Sequence, residues 1–490
     1  MCGVLGIYGN GDVFPDLYQG LLAIQHRGQD SAGIITYNGG RFHVKKGNGL
    51  VRDIFTADHA NRLRGSIGIG HTRYPTIGGG RGEDAQPFLV SSPFGIIMAH
   101  NGNVVNYTEL KQELFEKHHR LLNSDNDVES ILNVFAQELQ DQHVRELEPE
   151  HVFKAVRGVF RRVIGSYSVV AYIAGQGLVA FRDPFGIKPL AWGIRRDGIK
   201  PSYAFASETV SLNLMNFGEI KDIAAGQAMF LDRDRNVHVK QLAHRPHSPC
   251  LFEWVYFARP DSVIDDANVY RVRLNLGRLL AEDIRKLELE IDVVVPVPDS
   301  SRDAAIEIAR KLNLKYREAL VKNRYIGRTF IMPENQARQS SVRTKLNPIA
   351  DEFRGKSVLI VDDSIVRGNT SRAIVKMVRD CGAKKVYFAS YSPPLRHPCV
   401  YGIDMQTRTE FVARDRDEAE IARQIGADRV IYQSLENLRK AVRMESPRLK
   451  HFCAACFDGD YISGDVTPEM LKKIELERSQ AKDKQLELNI

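Results

Sequence analysis

The 490-residue sequence has no apolar run approaching the roughly 18 residues that a membrane-spanning helix needs, and no leader precedes its first apolar stretch. Both absences predict a cytoplasmic protein with no membrane partner. Charge of one sign is also lacking, since 68 Lys and Arg stand against 61 Asp and Glu, for a net charge of +7. Without aromatic residues interleaved with basic ones, that balance predicts no nucleic-acid partner. Cysteine is scarce, with six in the whole chain. So few in a cytoplasmic chain argue against a disulfide framework and leave catalysis or metal binding as default uses. What is present is ordinary for a globular protein: 43% hydrophobic and 26% charged residues, in a length suited to two or three domains.

The stretch around which the rest is organised begins with Val358, Leu359, Ile360 and Val361. Four consecutive apolar residues predict a strand buried on both faces, as in a parallel sheet. It stops at Asp362 and Asp363. The loop Ser364-Ile365-Val366-Arg367-Gly368-Asn369-Thr370-Ser371 follows, then a helical pattern over 372–379 ending near Gly382. A loop that leads from the carboxyl end of a parallel strand into a helix N-terminus cradles phosphate with its backbone N–H groups. The carboxylates would repel that phosphate, so they are predicted to face ribose hydroxyls or a hydrated cation. Phosphate on one side and a sugar diol on the other describe a phosphorylated ribose. The stretch resembles the phosphoribosyl-diphosphate (PRPP) motif of type I phosphoribosyltransferases. That resemblance implies PRPP binding by Asp362, Asp363, Val366, Arg367, Gly368, Asn369, Thr370 and Ser371. It also implies a Mg²⁺ ion near Ser300, Asp362 and Asp363.

At the other end, Met1-Cys2-Gly3 opens directly into a strand. Removal of the initiator would make Cys2 the first residue, with an α-amine whose pKa near 8 suits it to deprotonate its own thiol. A buried first-strand cysteine is the plainer reading of Cys2 alone. Three later stretches decide against it. Gln25-His26-Arg27-Gly28-Gln29-Asp30-Ser31 precedes a strand over 34–37; His71-Thr72-Arg73-Tyr74-Pro75-Thr76 follows one over 67–70. A strand from residue 96 is predicted to run into a tight turn at Asn101-Gly102. With Cys2-Gly3 these resemble the glutaminase domain of N-terminal-nucleophile (class II) amidotransferases. The resemblance implies Cys2 as nucleophile, Asn101 and Gly102 as oxyanion donors, Arg73 on the glutamine α-carboxylate and Asp127 on its α-amine. Around Asp127 the chain has Asn126 and Val128 where members usually carry hydroxyl residues. The stretches Asp183–Leu190 and Ala206-Ser207-Glu208 are assigned structural roles. Short alternating strands beyond predict stacked antiparallel sheets flanked by helices.

The charged, His- and Pro-containing stretch over 241–249 reads as an interdomain connection. Residues 250–262 resemble the joining segment of glutamine PRPP amidotransferases. A helix over 270–290, a buried strand over 291–298 and a pyrophosphate loop at Asp299-Ser300-Ser301 are predicted next, with a helix from about Arg302. The basic stretch 322–347 reads as a mobile loop closing over PRPP, with Glu334-Asn335 and Asn369 departing from the usual pattern. Cys453-Ala454-Ala455-Cys456 by itself fits redox chemistry or zinc, and Cys399 fits core packing. One branch of the family, however, carries cysteines matching Cys250, Cys399, Cys453 and Cys456 as ligands of a [4Fe–4S] cluster; Cys381 lies outside that set.

The resemblance to glutamine PRPP amidotransferases thus spans nearly the whole chain. It implies an N-terminal-nucleophile αββα sandwich over 2–235 and an α/β type I phosphoribosyltransferase domain with a mainly parallel sheet over 236–465. A charged helical tail would fill 466–490. The implied reaction moves ammonia from glutamine to C1 of PRPP, with purine nucleotides as feedback inhibitors and a homo-oligomer, a tetramer, as the assembly. Two rivals are a class II amidotransferase with another acceptor, opposed by the phosphoribosyl motif, and a PRPP-binding regulator without catalysis, opposed by the intact Cys2, Arg73, Asn101 and Gly102.

Overall fold

The computed structural model describes residues 1–74, 82–323, 346–403, 411–464, 466–467 and 469–472. In the first half the strands are β1 (Gly3–Tyr8), β2 (Ser31–Asn38), β3 (Arg41–Asn48), β4 (Ile67–Arg73), β5 (Phe88–Val90), β6 (Ile96–Val104), β7 (Gly165–Ile173), β8 (Gly177–Arg182), β9 (Ala191–Arg195), β10 (Ser202–Ala206), β11 (Gly218–Asp222), β12 (Gln227–Asp232) and β13 (Val237–Gln241). They build two antiparallel sheets, ordered β11-β9-β10-β1-β4-β2-β3 and β13-β12-β8-β7-β6-β5.

Alternation along the strands explains why both sheets are buried on both faces. Val4 and Tyr8 of β1 meet Val170 and Tyr172 of β7 in the core between the sheets. Leu5 and Ile7 point the other way, under the helix Phe14–Ala23. Tyr167, Val169, Ala171 and Ile173 point away from the intersheet core, under the helices Val128–Gln140 and Pro149–Arg162. The result is the predicted αββα sandwich.

Two expectations about this half change. Asn101-Gly102 is no turn: β6 continues through it to Val104, paired with β7 from Ile96↔Ile173 to Val104↔Gly165. The continuous ladder outweighs the local turn preference of the dipeptide. The sheet also passes the expected boundary at 235, because β13 pairs with β12 as far as Gln241.

The second half follows a small hairpin of β14 (Val263–Ile264) and β15 (Ala267–Asn268). The helix Val269–Arg285 leads into β16 (Val293–Pro296), shorter at both ends than predicted. With β17 (Lys315–Tyr316), β20 (Ser357–Asp362), β21 (Lys385–Ser390) and β22 (Arg429–Tyr432) it forms a sheet ordered β17-β16-β20-β21-β22, in which all pairings are parallel. Both faces are apolar, with Leu359 and Val361 on one core and Val358 and Ile360 on the other. Two further strands, β18 (Leu320–Lys322) and β19 (Leu346–Pro348), pair with each other, so the two ends of the expected PRPP loop are held together. That loop itself, with Glu334 and Asn335, lies outside the described residues, as do Pro75, Thr76 and most of the 466–490 tail. Among the described residues no helix is long and apolar enough to cross a membrane.

Candidate functional site

The first site assembles where β1, β4 and β6 meet. Gly3 pairs with Thr72, and that register brings Cys2 opposite Arg73. Cys2 is buried; its thiol donates to the Tyr74 carbonyl at 3.6 Å and its backbone N–H donates to Asn101 Oδ1 at 3.0 Å. That contact orients the Asn101 amide. Its Nδ2 is left buried with no hydrogen-bond partner, a donor that an incoming oxyanion can take up. Gly102 follows on the same strand, where any Cβ would stand 1.9 Å from the Ser166 carbonyl oxygen.

Arg73 is 4% exposed, with Nη1 3.8 Å from Asp84. Asp127 is equally buried and accepts from the Val104 N–H at 2.9 Å, with His100 Nε2 at 3.3 Å. Burial alone would raise its pKa; His100, the Val104 N–H and Arg73 outweigh that and hold the carboxyl below its ordinary value. Asp125, by contrast, lies on the surface beside Lys111. His71 is fully buried, and burial with the neighbouring His100 and Arg73 holds its imidazole well below the usual range. It is neutral near pH 7, and its Nδ1 has no partner.

The second site lies where the parallel strands β16 and β20 end side by side, Pro296 against Val361. Asp362 and Asp363 are both buried there. Ser300 Oγ donates to Asp363 Oδ2 at 2.5 Å and Ser301 Oγ to Asp362 Oδ1 at 3.4 Å. Burial raises both pKa values, Asp362 furthest because Asp363 is its neighbour. Two carboxylates facing hydroxyls and each other form a donor set that fits a Mg²⁺ ion or a sugar diol. Val366 and Arg367 continue the loop. Gly368, at φ +77, turns the chain into the helix Asn369–Asp380. The first intrahelical bond runs from the Arg372 N–H to the Gly368 carbonyl, so the N–H groups of 369–371 precede it at the helix N-terminus. Arg367, Asn369 and Thr370 are exposed, whereas Gly368 and Ser371 are buried.

The four cysteines come together from three segments. Cys250 and Cys453 form a parallel bridge: the Leu251 N–H donates to the Cys453 carbonyl at 3.1 Å and the Cys453 N–H to the Pro249 carbonyl at 3.0 Å. Cys399 and Cys456 are buried in the same core, and none of the six cysteines is in a disulfide. Burial, then the neighbouring thiols, raises the Cys453 and Cys456 pKa values well above the ordinary thiol range. Among the described residues no three His, Cys, Asp or Glu side chains close in as tightly as ligands of one metal ion. Cys381 sits apart, at the end of the helix Asn369–Asp380.

The sequence reasoning missed what joins the two halves. Arg27, fully buried, donates from Nε to the Cys2 carbonyl at 3.0 Å, to Glu208 at 2.6 Å and with both terminal nitrogens to Glu253 at 3.1 and 2.8 Å. Glu253 lies on a single wide helical turn, Glu253–Phe257, in the joining segment. Glu208, expected to be merely structural, also accepts from the Arg259 N–H and from Ser262 Oγ. The Tyr391 hydroxyl faces the Val255 and Ser300 carbonyls at 2.9 and 3.1 Å, linking the same segment to the loop after β16. The segment holding Cys399 packs on β6 and β7 as well. Asn103 Nδ2 donates to the Val400 carbonyl at 2.9 Å and Ser166 Oγ to the Tyr401 carbonyl at 2.8 Å. The one available signal was Glu253 as a lone charge inside the apolar stretch from Cys250 to Ala258.

Comparison with known proteins matches this two-site arrangement. A family model of the glutamine amidotransferase domain matches residues 73–213, and one of the phosphoribosyl transferase domain matches residues 268–392. Amidophosphoribosyltransferase of Pseudomonas aeruginosa is 48% identical over 98% of this chain and 97% of its own. That of Escherichia coli is 50% identical over 95% and 93%, respectively. The glutamine PRPP amidotransferase of B. subtilis, solved in complex with ADP and GMP, superposes with a TM-score of 0.83 at 36% identity, covering 94% of this chain and 97% of that one. Relatives so similar over both halves, each half with its own buried site, leave one conclusion: the chain belongs to the amidophosphoribosyltransferase family.

Proposed function

We propose that Cys2 releases ammonia from glutamine and that the loops after β16 and β20 hold the PRPP which receives it. The family's reaction is this chain's reaction: ammonia from glutamine replaces pyrophosphate at C1 of PRPP, giving 5-phosphoribosylamine, pyrophosphate and glutamate, the first committed step of purine nucleotide synthesis. The observation that carries the residue assignment is the Asn101 amide, tied by Oδ1 to Cys2 N and open at Nδ2. Once Met1 is removed, the Cys2 amine at this position takes the thiol proton. The thiolate attacks the glutamine carboxamide, Asn101 Nδ2 and the Gly102 N–H donate to the oxyanion, and Arg73 and Asp127 hold the substrate's α-carboxylate and α-amine. The C–N bond then breaks, with ammonia leaving on the proton from the Cys2 amine, and water frees glutamate from the thioester.

On the other side, Asp362 and Asp363 would hold the ribose diol and, with Ser300, a Mg²⁺ ion, which when bound would offset charge on the pyrophosphate. The loop from Val366 to Ser371 takes the 5-phosphate on backbone N–H groups. Cys250, Cys399, Cys453 and Cys456 would hold a [4Fe–4S] cluster, supported by four buried thiols that converge without disulfides. Its contribution is structural, since no electron moves in the reaction. Nucleotides bound to the B. subtilis relative support regulation by purine nucleotides. The assembly proposed is a homotetramer in the cytoplasm, with a glutaminase domain over 2–241 and a transferase domain over 242–465.

The test is a product assay with glutamine, PRPP and Mg²⁺, each omitted in turn, on the wild type and on Cys2→Ala. The variant is expected to lose glutamine-dependent synthesis and keep synthesis from added ammonia. Glutamate release at the wild-type rate by Cys2→Ala would rule out Cys2 as nucleophile.

A further inference from the structure

Lys188 is fully buried and its Nζ has no hydrogen-bond partner. An ammonium in that position is strongly unfavourable unless an anion faces it. Its backbone is fixed: the Lys188 carbonyl accepts from Arg182 Nε at 2.6 Å and from Ser168 Oγ at 2.9 Å. The carbonyl of the preceding Ile187 accepts the Cys250 N–H at 3.0 Å. The lysine is thus set one residue from the backbone of a proposed cluster ligand. Cys250, Cys399, Glu253 and Cys453 lie within electrostatic reach of its ammonium, as does the chain's amino terminus. Glu253 is already gripped through both oxygens by Arg27, and the amino terminus carries the wrong sign. Neutral thiols would not answer the charge either. Four thiolates on a cubane would, because that group is net negative.

We infer that the Lys188 ammonium is the counter-ion of the four-thiolate cluster, set beside Cys250 to offset its negative charge and thereby to govern its reduction potential and its retention. This rests on the iron–sulfur reading above. Net charge and burial are among the main determinants of cluster potential, and outer partners of metal sites commonly change affinity by tenfold or more. Lys188→Met removes the charge at similar length; Lys188→Arg keeps it.

Wild type and both variants, purified without oxygen, are compared by iron and sulfide content, by redox titration of the cluster's EPR signal and by the rate of iron transfer to a chelator. Lys188→Met is expected to show a more negative midpoint potential and about tenfold faster iron loss, with Lys188→Arg close to wild type. A Lys188→Met protein with the wild-type potential and the wild-type rate overturns the inference. Should Lys188→Met not fold, wild type grown with ¹⁵N-lysine decides: the reduced cluster should show a ¹⁵N coupling in pulsed EPR, and its absence overturns the inference as well. Wild type with neither iron nor sulfide removes the cluster itself, and this inference with it. A cluster present beside a silent lysine leaves the cluster reading intact.

Discussion

Asn101 does two things with one amide, and each end can be tested separately from the other half of the reaction. Asn101→Ala removes the open Nδ2 donor and the acceptor that holds Cys2 N. Loss of one oxyanion donor commonly costs about 10²–10³ in turnover. Glutamine-dependent synthesis is expected to fall by that order while ammonia-dependent synthesis stays near wild type; a parallel fall in both would place Asn101 outside the glutaminase step. Cys2, Arg73, Asn101 and Asp127 could be proposed from the sequence because each sits in a local motif, and the fold buries all four. Arg27 could not. Its partner Glu253 is 226 residues away, and a buried ion pair has no local signature, since each letter alone reads as a surface charge. Lys188 escaped for a related reason: it lies in the Asp183–Leu190 stretch, assigned a structural role as a whole, and only the fold shows its side chain buried.

At the scale of elements, the end of β20 carries an electrostatic cost. Asp362 and Asp363 hold protons more tightly in the folded chain than in the unfolded one, because they are buried side by side. Their contribution therefore favours the fold at low pH and is lost as pH rises through their raised values. A ligand that needs them ionised relieves that cost. The rise in melting temperature given by Mg²⁺ with PRPP is thus expected to grow with pH above the ordinary carboxylate range as the pair ionises, measured by thermal unfolding with and without ligand. Replacing both by Asn should flatten that dependence, abolish PRPP use with either nitrogen source and leave basal glutamine hydrolysis. A double variant with unchanged ammonia-dependent turnover would count against the assignment. The strand itself was legible, because four apolar residues ending in two acids admit few other readings. β6 was misjudged at Asn101-Gly102. A dipeptide preference worth a fraction of a kcal/mol cannot compete with an unbroken ladder to β7.

At the scale of the whole molecule, buried charge holds the halves together. Glu208 and Asp265 have pKa values far below the ordinary carboxylate range; burial opposes this, but Arg27 and Arg182, respectively, outweigh it. Arg182 grips Asp265 with two contacts of 2.8 Å each, joining β8 to the hairpin turn between β14 and β15. For depressed carboxylates the stabilisation is complete above the unfolded values, near 4, and is lost as pH falls below them. Hydrogen exchange over 250–265 is expected to accelerate on acidification before the β-sheet cores open; uniform loss of protection would argue against a weak junction. The proposed cluster predicts a second failure mode. Oxygen-driven loss of iron should lower glutaminase and transferase activities together, unlike any variant confined to one site, and anaerobic analysis finding one zinc and no sulfide would sink the iron–sulfur assignment. Two domains were readable from the motifs; their border was not, because β13 is short and largely exposed and only its pairing shows that it is a strand.

Gly402 lies against Gly102, where a Cβ on residue 402 would come within 2.8 Å of the Gly102 oxygen, and its φ of +99 already favours glycine. Nothing but backbone separates the proposed oxyanion strand from the segment that carries Cys399. The two halves are therefore poor interchangeable parts. A hybrid that grafts another transferase half onto this glutaminase would need a glycine at the same point, or the graft would press on the strand that binds glutamine's oxyanion. Hybrids built with and without that glycine, scored for glutamine hydrolysis alone, would show how far this single bare contact limits recombination between relatives.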